Sequence, residues 1–526
     1  MSGPRQAGES TGAGMLGPPM EVDARTLGVP GLDADVCIVG AGPAGLTLAR
    51  ELATRDRRIV LLESGGRNPD PAAQALGDGT TTGDVYAGPA VTRHRQAGGT
   101  ARIWNTPFGD EMGAKYAPLD AVDFEARPWW PLSGWPFARA QLDPYYVRAQ
   151  ALCGLGRFAY RGEDWESPER PCLGLPAGAL TTGVYHFGPD RVFTELHLEE
   201  IRRARNVLLC LNATSVELER DPGARSITHV RAACTTGRTL RVRARVFVLA
   251  AGGIENARLL LLANHLHGLG DESGLVGRCF MEHPRDVACR LVPADPGLFA
   301  RCGLYDMHRG TGGIVMGRLT FTDAARRRQE LPAMSITLQP LARGLRWPPA
   351  EALRTRMRGA RQAERGRWFR GPGTRRRFAA FELLVNVEQA PDPENRVTLG
   401  DDRDRFGLPT AAIHWRWRAH DQTNLARIHA VVAGELERHG LGCVEIGAGV
   451  PPDPNAHHHM GTTRMHRDPR RGVLDEHARV HGVSNLFVVG SSAFPTSGFA
   501  NPTLTIVALA LRLAEHLDEQ LQHLVV

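Results

Sequence analysis

The sequence contains almost no lysine and no pattern of paired cysteines. Lys115 is the single lysine among 63 basic residues, a bias that is typical of GC-rich codon usage and says nothing about function. The nine cysteines are scattered, their number is odd, and no Cys-x-x-Cys pair occurs. These features argue against a disulfide framework and against a thiolate zinc site. They fit a reducing compartment, and we expect a cytoplasmic protein.

Long apolar runs and export signals are also absent from the sequence. No apolar stretch reaches the roughly 18 residues that a membrane-spanning helix requires. The N-terminal region has neither a basic stretch followed by an apolar one nor a twin arginine. We therefore expect neither a membrane span nor export.

The chain has the composition of a globular protein, and its positive charge is local. Its 526 residues are 42% hydrophobic and 23% charged, a length that predicts roughly two to four domain-sized units. The net charge is +6, but residues 351–377 alone contain ten arginines and two glutamates, a net of +8. The remainder of the chain therefore carries −2. Anion or nucleic-acid binding through this segment is an alternative function, and we otherwise expect no nucleic-acid partner.

The beginning of the chain differs in character from the rest. Residues 1–32 are rich in glycine, proline, serine and alanine without periodicity, and we predict a flexible leader there. Asp35–Val39 is a short apolar run, a helical pattern comes after it, and Ile59–Leu62 is a second apolar run. This order predicts a complete βαβ unit.

Strand-like apolar runs of the same kind recur in the middle of the chain and near its end, at 241–250 and 486–489. A block with an antiparallel pattern lies between them. The sequence therefore predicts an α/β protein with a discontinuous Rossmann-like nucleotide-binding domain and an inserted α+β substrate domain built on an antiparallel sheet. The expected bounds are 33–110, 205–290 and 451–526 for the first domain, and 111–204 and 291–450 for the second.

The first candidate site is a glycine turn between the first strand and the first helix. Gly40 would permit the tight turn, Gly42 would let the backbone approach a pyrophosphate, and Gly45 would allow close packing of helix on strand. Glu63 comes directly after the second strand, where its carboxylate can accept hydrogen bonds from a ribose. The pattern predicts a bound dinucleotide and does not separate FAD from NAD.

The second candidate site is a run of three histidines, His457 to His459. Adjacent histidines suggest a metal, but no nearby cysteine or glutamate-rich helix completes a ligand shell, and we expect no metal. A histidine in a pocket can instead act as a general base, because its pKa lies near neutrality. A plain polar turn is the remaining alternative.

Two further loops combine small residues with polar ones. The loop 97–105 has paired glycines that allow the backbone to approach a flat ligand, although an ordinary surface loop would look the same. Near the end, a strand stops at Gly490 and a helix starts near Pro502. Asn501 suits a helix N-cap, a role that could coexist with catalysis.

Five separated motifs together resemble the glucose–methanol–choline (GMC) flavin oxidoreductases, and the resemblance extends from about residue 33 to 520 in the family's order. Within that family, the motifs are most similar to those of the bacterial sugar and polyol dehydrogenases, a branch related to pyranose oxidase. The motifs are the βαβ start, Ala97-Gly-Gly-Thr-Ala-Arg-Ile-Trp-Asn105, Ala251-Gly-Gly-Ile-Glu-Asn-Ala257, Glu388-Gln-Ala-Pro-Asp-Pro-Glu-Asn-Arg-Val397, and the C-terminal His-His-Met-Gly-Thr and Asn-Pro-Thr pair.

The resemblance implies FAD as cofactor and assigns roles to residues of both ends of the chain. The histidine that matches the family's catalytic base is His458, and the second member of the pair matches Asn501. The position where some relatives attach FAD covalently is Ile103, which implies noncovalent FAD. The implied FAD-binding residues are Gly40, Gly42, Gly45 and Glu63, with Val216 near the adenine and Gly99, Thr100, Asn105, Gly490, Pro502 and Thr503 near the flavin.

The implied activity is oxidation of a CH–OH group on a sugar, polyol, aminosugar or related natural product, by hydride transfer to flavin N5. The substrate would be a small-molecule alcohol, and a second acceptor, which could be oxygen, a quinone or a carrier, would reoxidise the reduced FAD. A non-redox flavoprotein lyase of the same family is an alternative, and the oligomeric state is open. Trp104, Trp415, Trp417 and Gln389 suit a hydroxyl-rich ring, or they are core residues.

Overall fold

The computed structural model describes residues 20–108, 111–221, 225–267, 273–342, 368–369, 377–447, 451–454 and 456–523. The strands are β1 (Met20–Asp23), β2 (Gly31–Val39), β3 (Ile59–Leu62), β4 (Gly79–Gly83), β5 (Asn105–Phe108), β6 (Glu111–Tyr116), β7 (Leu180–Pro189), β8 (Val207–Leu211), β9 (Thr214–Arg220), β10 (Ile227–Ala233), β11 (Thr239–Leu249), β12 (Arg285–Pro293), β13 (His308–Gly310), β14 (Gly313–Phe321), β15 (Met334–Ala342), β16 (Phe378–Val387), β17 (Arg396–Arg403), β18 (Pro409–Trp415), β19 (Gly442–Ile446) and β20 (Leu486–Val488). The helices are α1 (Pro43–Ala53), α2 (Pro71–Ala75), α3 (Pro89–Thr92), α4 (Asp143–Leu152), α5 (His197–Arg203), α6 (Gly252–His267), α7 (Leu298–Arg301), α8 (Asp323–Gln329), α9 (Ala419–Arg438) and α10 (Thr503–His523).

A largely parallel sheet is built from the beginning, middle and end of the chain. Its strand order is β1-β8-β3-β2-β11-β10-β9, and β20 pairs with the end of β11. The neighbours from β1 to β11 are parallel, as is β20 on β11, whereas β10 is antiparallel to both its neighbours. All four residues of β3 are buried, as expected for a strand covered on both faces. This arrangement confirms the discontinuous Rossmann-like domain.

The inserted part is built on an antiparallel sheet of order β19-β12-β16-β15-β14-β7-β6-β5, with β13 paired to β14. Alternate residues of these strands face opposite sides. One face is apolar and packs with α9 into a hydrophobic core of its own. Tyr185, Phe187 and Met316 on the other face join the core that contains the parallel strands. The predicted α+β insertion is thus confirmed, and it lies with one face toward the nucleotide-binding sheet.

Two predicted boundaries are wrong in detail. Met20–Asp23 lies in the predicted flexible leader, but it forms a parallel edge strand paired with Val207–Leu211. Its Met-Glu-Val-Asp sequence alternates apolar and polar residues, but four residues are too few to predict a strand in a segment rich in glycine and proline. Gly31 and Leu32 of the predicted leader also belong to a strand, β2, and residues 1–19 lie outside the described residues. Asn105–Phe108 lies within the predicted nucleotide-binding segment but pairs with β6 of the antiparallel sheet. The other domain bounds remain predictions.

The described residues bear on the expectations for the cysteines, for a membrane span and for the arginine-rich segment. All nine cysteines lie among them, and all are free thiols. No helix among the described residues is long and apolar enough to cross a membrane. The arginine segment 351–377 lies outside the described residues except for Trp368, Phe369 and Arg377, so the alternative function placed there stays untested.

Candidate active site

The glycine turn between β2 and α1 has the geometry of an anion cradle. Gly40 has φ +105°, and a Cβ there would lie 2.7 Å from the carbonyl oxygen of Ala250. A Cβ on Gly45 would overlap the carbonyl oxygen of Gly40, which explains the close packing of α1 on the sheet. By contrast, no atom lies within 4 Å of a Cβ placed on Gly42. The turn is therefore open at Gly42, where α1 begins without a side-chain cap and its first N–H groups can meet an anion.

Glu63 lies beside this turn at the end of β3. One carboxylate oxygen accepts a hydrogen bond from the N–H of Ala41 at 2.8 Å, and the other accepts from the N–H of Gly65 at 2.8 Å. Burial raises the pKa of Glu63, while these backbone donors and the charge of Arg95 oppose the rise. Each carboxylate oxygen keeps a second lone pair that can accept a ribose hydroxyl.

One cavity is lined by both the glycine turn and the histidine triplet. It comprises about 1290 Å³ of space free of protein atoms, including its open mouth. Glu63, the segment 213–215 and His457 to His459 all contribute to its wall. Eight of the predicted FAD-binding residues line it: Gly40, Gly42, Glu63, Gly99, Thr100, Gly490, Pro502 and Thr503.

Three of the predicted FAD-binding residues do not line the cavity. Gly45 lies beneath the turn and serves the packing of α1. Val216 is 2% exposed and belongs to the interior, while its neighbours Ala213 to Ser215 form the wall. Asn105 starts β5, and the adjacent Trp104 takes the lining position. In both places the residue directly before the predicted one, Ser215 or Trp104, lines the cavity, and the roles of Val216 and Asn105 stay predictions.

The structure brings His458 and Asn501 together at the histidine end of the cavity. His458 Nε2 lies 3.2 Å from Asn501 Nδ2, although the two residues are 43 positions apart. The backbone N–H of His458 donates to Glu282 Oε2 at 2.8 Å, which fixes the loop. His457 adopts a left-handed conformation with φ +60° and lines the cavity. His459 turns away and stacks on Phe280.

Hydrogen bonds around His283 define the proton positions of this pair. His283 Nε2 lies 3.1 Å from the carbonyl oxygen of Ser497, an acceptor, so Nε2 must carry the proton. Burial lowers the pKa of His283 to about 4, so its Nδ1 is a lone pair. His458 Nδ1 lies 2.9 Å from that atom and therefore donates to it. This assignment leaves the Nε2 lone pair of His458 facing the N–H of Asn501.

Buried charges around the pair favour a neutral imidazole. Burial lowers the pKa of His458 well below its ordinary value, and the positive charges of neighbouring groups, among them Lys115, lower it further. Glu282 lies behind the triplet, where burial raises its pKa to about 8. Tyr86 donates its hydroxyl to Glu282 Oε1 at 2.6 Å. The histidine loop thus rests on a carboxyl group that stays protonated at neutral pH.

Tyr86, Glu282 and His283 were not identified from the sequence. The only signal is a Glu-His pair that comes directly after the apolar Phe280 and Met281, which is an unusual place for two polar side chains to be buried. No spacing rule links residue 283 to a partner 175 positions away. The contact exists only because the fold brings the chain before β12 against the histidine loop, where Met281 pairs with Met460 and Arg285 pairs with Asp453.

The three tryptophans and one glutamine suggested for the substrate pocket divide into two groups. Trp415 Nε1 donates to Gln389 Oε1 at 3.0 Å, and both side chains are buried in the core under the antiparallel sheet together with Trp417. Trp104 alone of the four lines the cavity. The core alternative is therefore the correct one for Trp415, Trp417 and Gln389.

A cluster of possible metal ligands lies elsewhere, between β12 and α9. Side-chain ligand atoms of Asp286, Cys289 and His429 lie within 4.8 Å of one another. His429 Nε2 lies 2.8 Å from Asp286 Oδ2, so these two groups already satisfy each other by a direct hydrogen bond. The expectation of no metal stays a prediction.

The cavity fits a dinucleotide such as FAD. The opening at Gly42 gives a pyrophosphate access to the first N–H groups of α1, and Glu63 offers acceptors for a ribose. Gly490 has φ +136°, and only Asn256 Nδ2, at 3.9 Å, lies near a Cβ placed there, so the wall is open at this residue to a flat ring. Gly99 lies against the glycine turn, where a Cβ would be 3.1 Å from Gly42 Cα.

Comparison with known proteins agrees with this geometry. A sequence profile described as GMC oxidoreductase matches residues 391–510, and one described as an NAD(P)-binding Rossmann-like domain matches residues 38–68. The fructose dehydrogenase large subunit of Gluconobacter japonicus is 26% identical over 92% of this chain and 97% of that protein. Paromamine 6'-oxidase of Streptomyces fradiae is 27% identical over 91% of this chain and 90% of that protein.

A solved structure of formate oxidase from Aspergillus oryzae matches with a TM-score of 0.55 at 15% identity, covering 94% of this chain and 100% of that one. This likeness shows that the fold is shared. Together, the profile match and the relatives that span nearly the whole chain show a GMC-type oxidoreductase, an FAD-dependent enzyme that acts on CH–OH groups.

Proposed function

We propose that His458 is the general base and Asn501 the hydrogen-bond donor of the alcohol oxidation. The observation that carries the proposal is the 3.2 Å contact of Asn501 Nδ2 with Nε2 of His458, which lines the cofactor cavity. An alcohol hydroxyl that displaces this direct contact meets the lone pair of His458 on one side and an N–H of Asn501 on the other.

In this arrangement the protein moves one proton and stabilises one oxygen. His458 Nε2 takes the hydroxyl proton while Nδ1–H continues to donate to His283. Asn501 Nδ2 has two protons, and the one not directed at His458 can stabilise the oxygen as negative charge develops on it. Bound FAD supplies the acceptor for the hydrogen and electron pair that leave the alcohol carbon. General base catalysis of this kind contributes about 10²–10⁴-fold.

We propose that FAD is held without a covalent bond. Ile103 occupies the position in the Gly98-Gly99 loop where a histidine would make the link in some relatives, and its side chain offers no nucleophile. Denaturing the purified protein should release all flavin into the supernatant. Flavin that stays with the denatured polypeptide would contradict this proposal and would direct attention to His94 or His457, which also line the cavity.

We propose that the substrate is a polyhydroxylated small molecule such as a sugar, polyol, aminosugar or related natural product. Support comes from the relatives, whose names refer to fructose and to paromamine. The test is anaerobic titration of the yellow holoenzyme against a panel of such alcohols. Bleaching identifies the substrate class, and the absence of bleaching by every alcohol would contradict the proposal. Admission of air then distinguishes an oxidase, which recolours quickly, from a dehydrogenase that needs a quinone or carrier.

A further inference from the structure

Two cationic side chains flank one tyrosine ring on the antiparallel sheet. Lys115 Nζ lies 4.7 Å from the centroid of the Tyr185 ring, and Arg318 Cζ lies 5.1 Å from it. Strand register explains this arrangement, because Lys115 pairs with Phe187 and Arg318 pairs with Gly183, each two residues from Tyr185. Paired residues and residues two apart share a face of the sheet, so all three side chains project together.

Arg318 is buried with two of its nitrogens lacking an acceptor. Its side chain is 3% exposed, and neither Nε nor Nη1 has a hydrogen-bond partner among the described residues. Its Cζ stacks instead at 4.2 Å from the centroid of the Phe499 ring. Asp120 and Asp123 both form ion pairs with Arg326, and Asp120 also lies within electrostatic reach of Arg318 without a hydrogen bond to it. A stacking contact offsets only part of the cost of keeping a guanidinium from water.

Arg318 contacts the loop that carries Asn501, and Lys115 lies within electrostatic reach of His458. Phe499 belongs to the same loop as Asn501, and Ser497 of that loop accepts the hydrogen bond of His283. After burial, the charge of Lys115 is one of the causes that lower the pKa of both His458 and His283, so its ammonium is within electrostatic reach of the pair. Lys115 is also the chain's single lysine, and its position beside the site gives that residue a role that composition could not indicate.

We propose that Lys115 and Arg318 form an anion-binding subsite and that the alcohol oxidised here carries a carboxylate. This inference rests on the proposed function, because it places the subsite beside the proposed base. A guanidinium presents a planar fork of donors that matches a carboxylate, and an ammonium adds a point charge. The same two charges repel an ammonium group on a ligand. The subsite therefore favours a sugar acid or hydroxy acid over an aminosugar.

Calorimetric titration of the anaerobic holoenzyme at low salt tests the subsite directly. Matched probes are D-glucuronate, D-glucose, D-glucosamine and glucose 6-phosphate, together with methoxyacetate, which has a carboxylate but no oxidisable alcohol. We expect both carboxylates to bind, D-glucuronate more tightly than D-glucose, and D-glucosamine most weakly. Tighter binding of glucose 6-phosphate than of D-glucuronate would replace the carboxylate by a phosphate and overturn the assignment. Equal binding of all the sugars would overturn the subsite altogether.

Variants separate the subsite from a general effect of charge. Lys115→Gln should weaken binding of methoxyacetate and D-glucuronate by about 10- to 100-fold, the loss typical of a hydrogen bond to a charged group. Arg309→Gln, which removes an exposed cation from β13 of the same sheet, should leave both affinities unchanged. Equal losses in the two variants would contradict the proposal. Arg318→Lys keeps the charge but removes the planar pair of guanidinium donors, so it should also weaken carboxylate binding. If this variant does not fold, the affinities of Lys115→Gln are sufficient to test the subsite.

The flavin spectrum recorded in the same samples keeps the two claims apart. If no alcohol of any charge bleaches the flavin, the proposed function fails, and the methoxyacetate affinities still test the subsite. If neutral sugars bleach it as well as or better than acids and methoxyacetate does not bind, only the anion-binding subsite fails.

Discussion

At the residue scale, the position of one proton decides which nitrogen of His458 can act as a base. The carbonyl of Ser497 fixes the proton of His283, and His283 in turn fixes the proton of His458. Choosing His458 from the three adjacent histidines required the family resemblance. In a strand, His458 would face one side and His457 and His459 the other, but the sequence does not show which side faces the substrate. Its orienting partner was invisible in the sequence, since 175 residues separate them.

His283→Ala should leave flavin bound but slow its reduction by substrate about tenfold or more, because His458 Nδ1–H then loses its acceptor and the ring can flip. His283→Gln retains an acceptor and should recover part of the rate. Stopped-flow reduction rates measured across a pH series give the decisive readout. A purely structural role would lower stability in both variants without changing the pH profile of the rate.

Glu282 predicts a pH dependence of stability. Its pKa is raised to about 8 in the folded protein by burial, so the folded state holds a proton that the unfolded state loses near its ordinary value of 4.5. This group therefore stabilises the protein less and less as the pH rises from 4.5 to about 8. Glu282→Gln imitates the protonated form and should flatten the fall of the unfolding temperature across that window. A variant curve parallel to that of the wild type would show that Glu282 is ionised in the folded state.

At the scale of elements, the start of α1 combines a structural glycine with a functional one. The sequence predicted different roles for Gly42 and Gly45, and the space around each residue agrees, because one faces an opening and the other faces a carbonyl oxygen. The neighbouring lining positions were harder to predict. Whether Val216 or Ser215 lines the cavity depends on the phase of β9, which a motif of small residues does not define.

Gly42→Ala and Gly45→Ala should therefore fail in different ways. An alanine at 42 meets no protein atom and its φ is negative, so the fold should persist while the flavin content falls. An alanine at 45 would overlap the carbonyl oxygen of Gly40 and should lower the unfolding temperature of the protein even without flavin. Gly434→Ala, in an open position on α9, is the neutral control. Flavin-replete Gly42→Ala protein would contradict the cradle.

At the scale of the whole molecule, the cofactor cavity joins parts of the chain that are far apart in sequence. The glycine turn, the segment 213–215 and the loops after residue 456 meet only because β3, β11 and β20 belong to one sheet. Parallel strands with buried runs made this sheet predictable. The edge strand Met20–Asp23 was not, because its alternation of apolar and polar residues extends over only four positions, and the strand is held mainly by backbone pairing.

Because the cavity wall is shared in this way, FAD should stabilise the whole protein. Removing the flavin with a chaotropic salt should lower the unfolding temperature, and added FAD should restore it. Ligand at 1,000 times its dissociation constant contributes about 4 kcal/mol. A single transition in differential scanning calorimetry that moves with FAD concentration is expected. A transition that does not respond to FAD would mean that the folded protein does not bind the cofactor.

The most direct test of the account is the rate at which substrate reduces the flavin in His458→Ala holoenzyme under anaerobic conditions. We expect the variant to remain yellow, with its full complement of FAD, and to be reduced about 10²–10⁴-fold more slowly than the wild type, because it lacks the base that takes the hydroxyl proton. Asn501→Ala should also slow reduction without loss of FAD. Reduction of His458→Ala at the wild-type rate would contradict the assignment of the imidazole–carboxamide pair as the reacting groups of this enzyme.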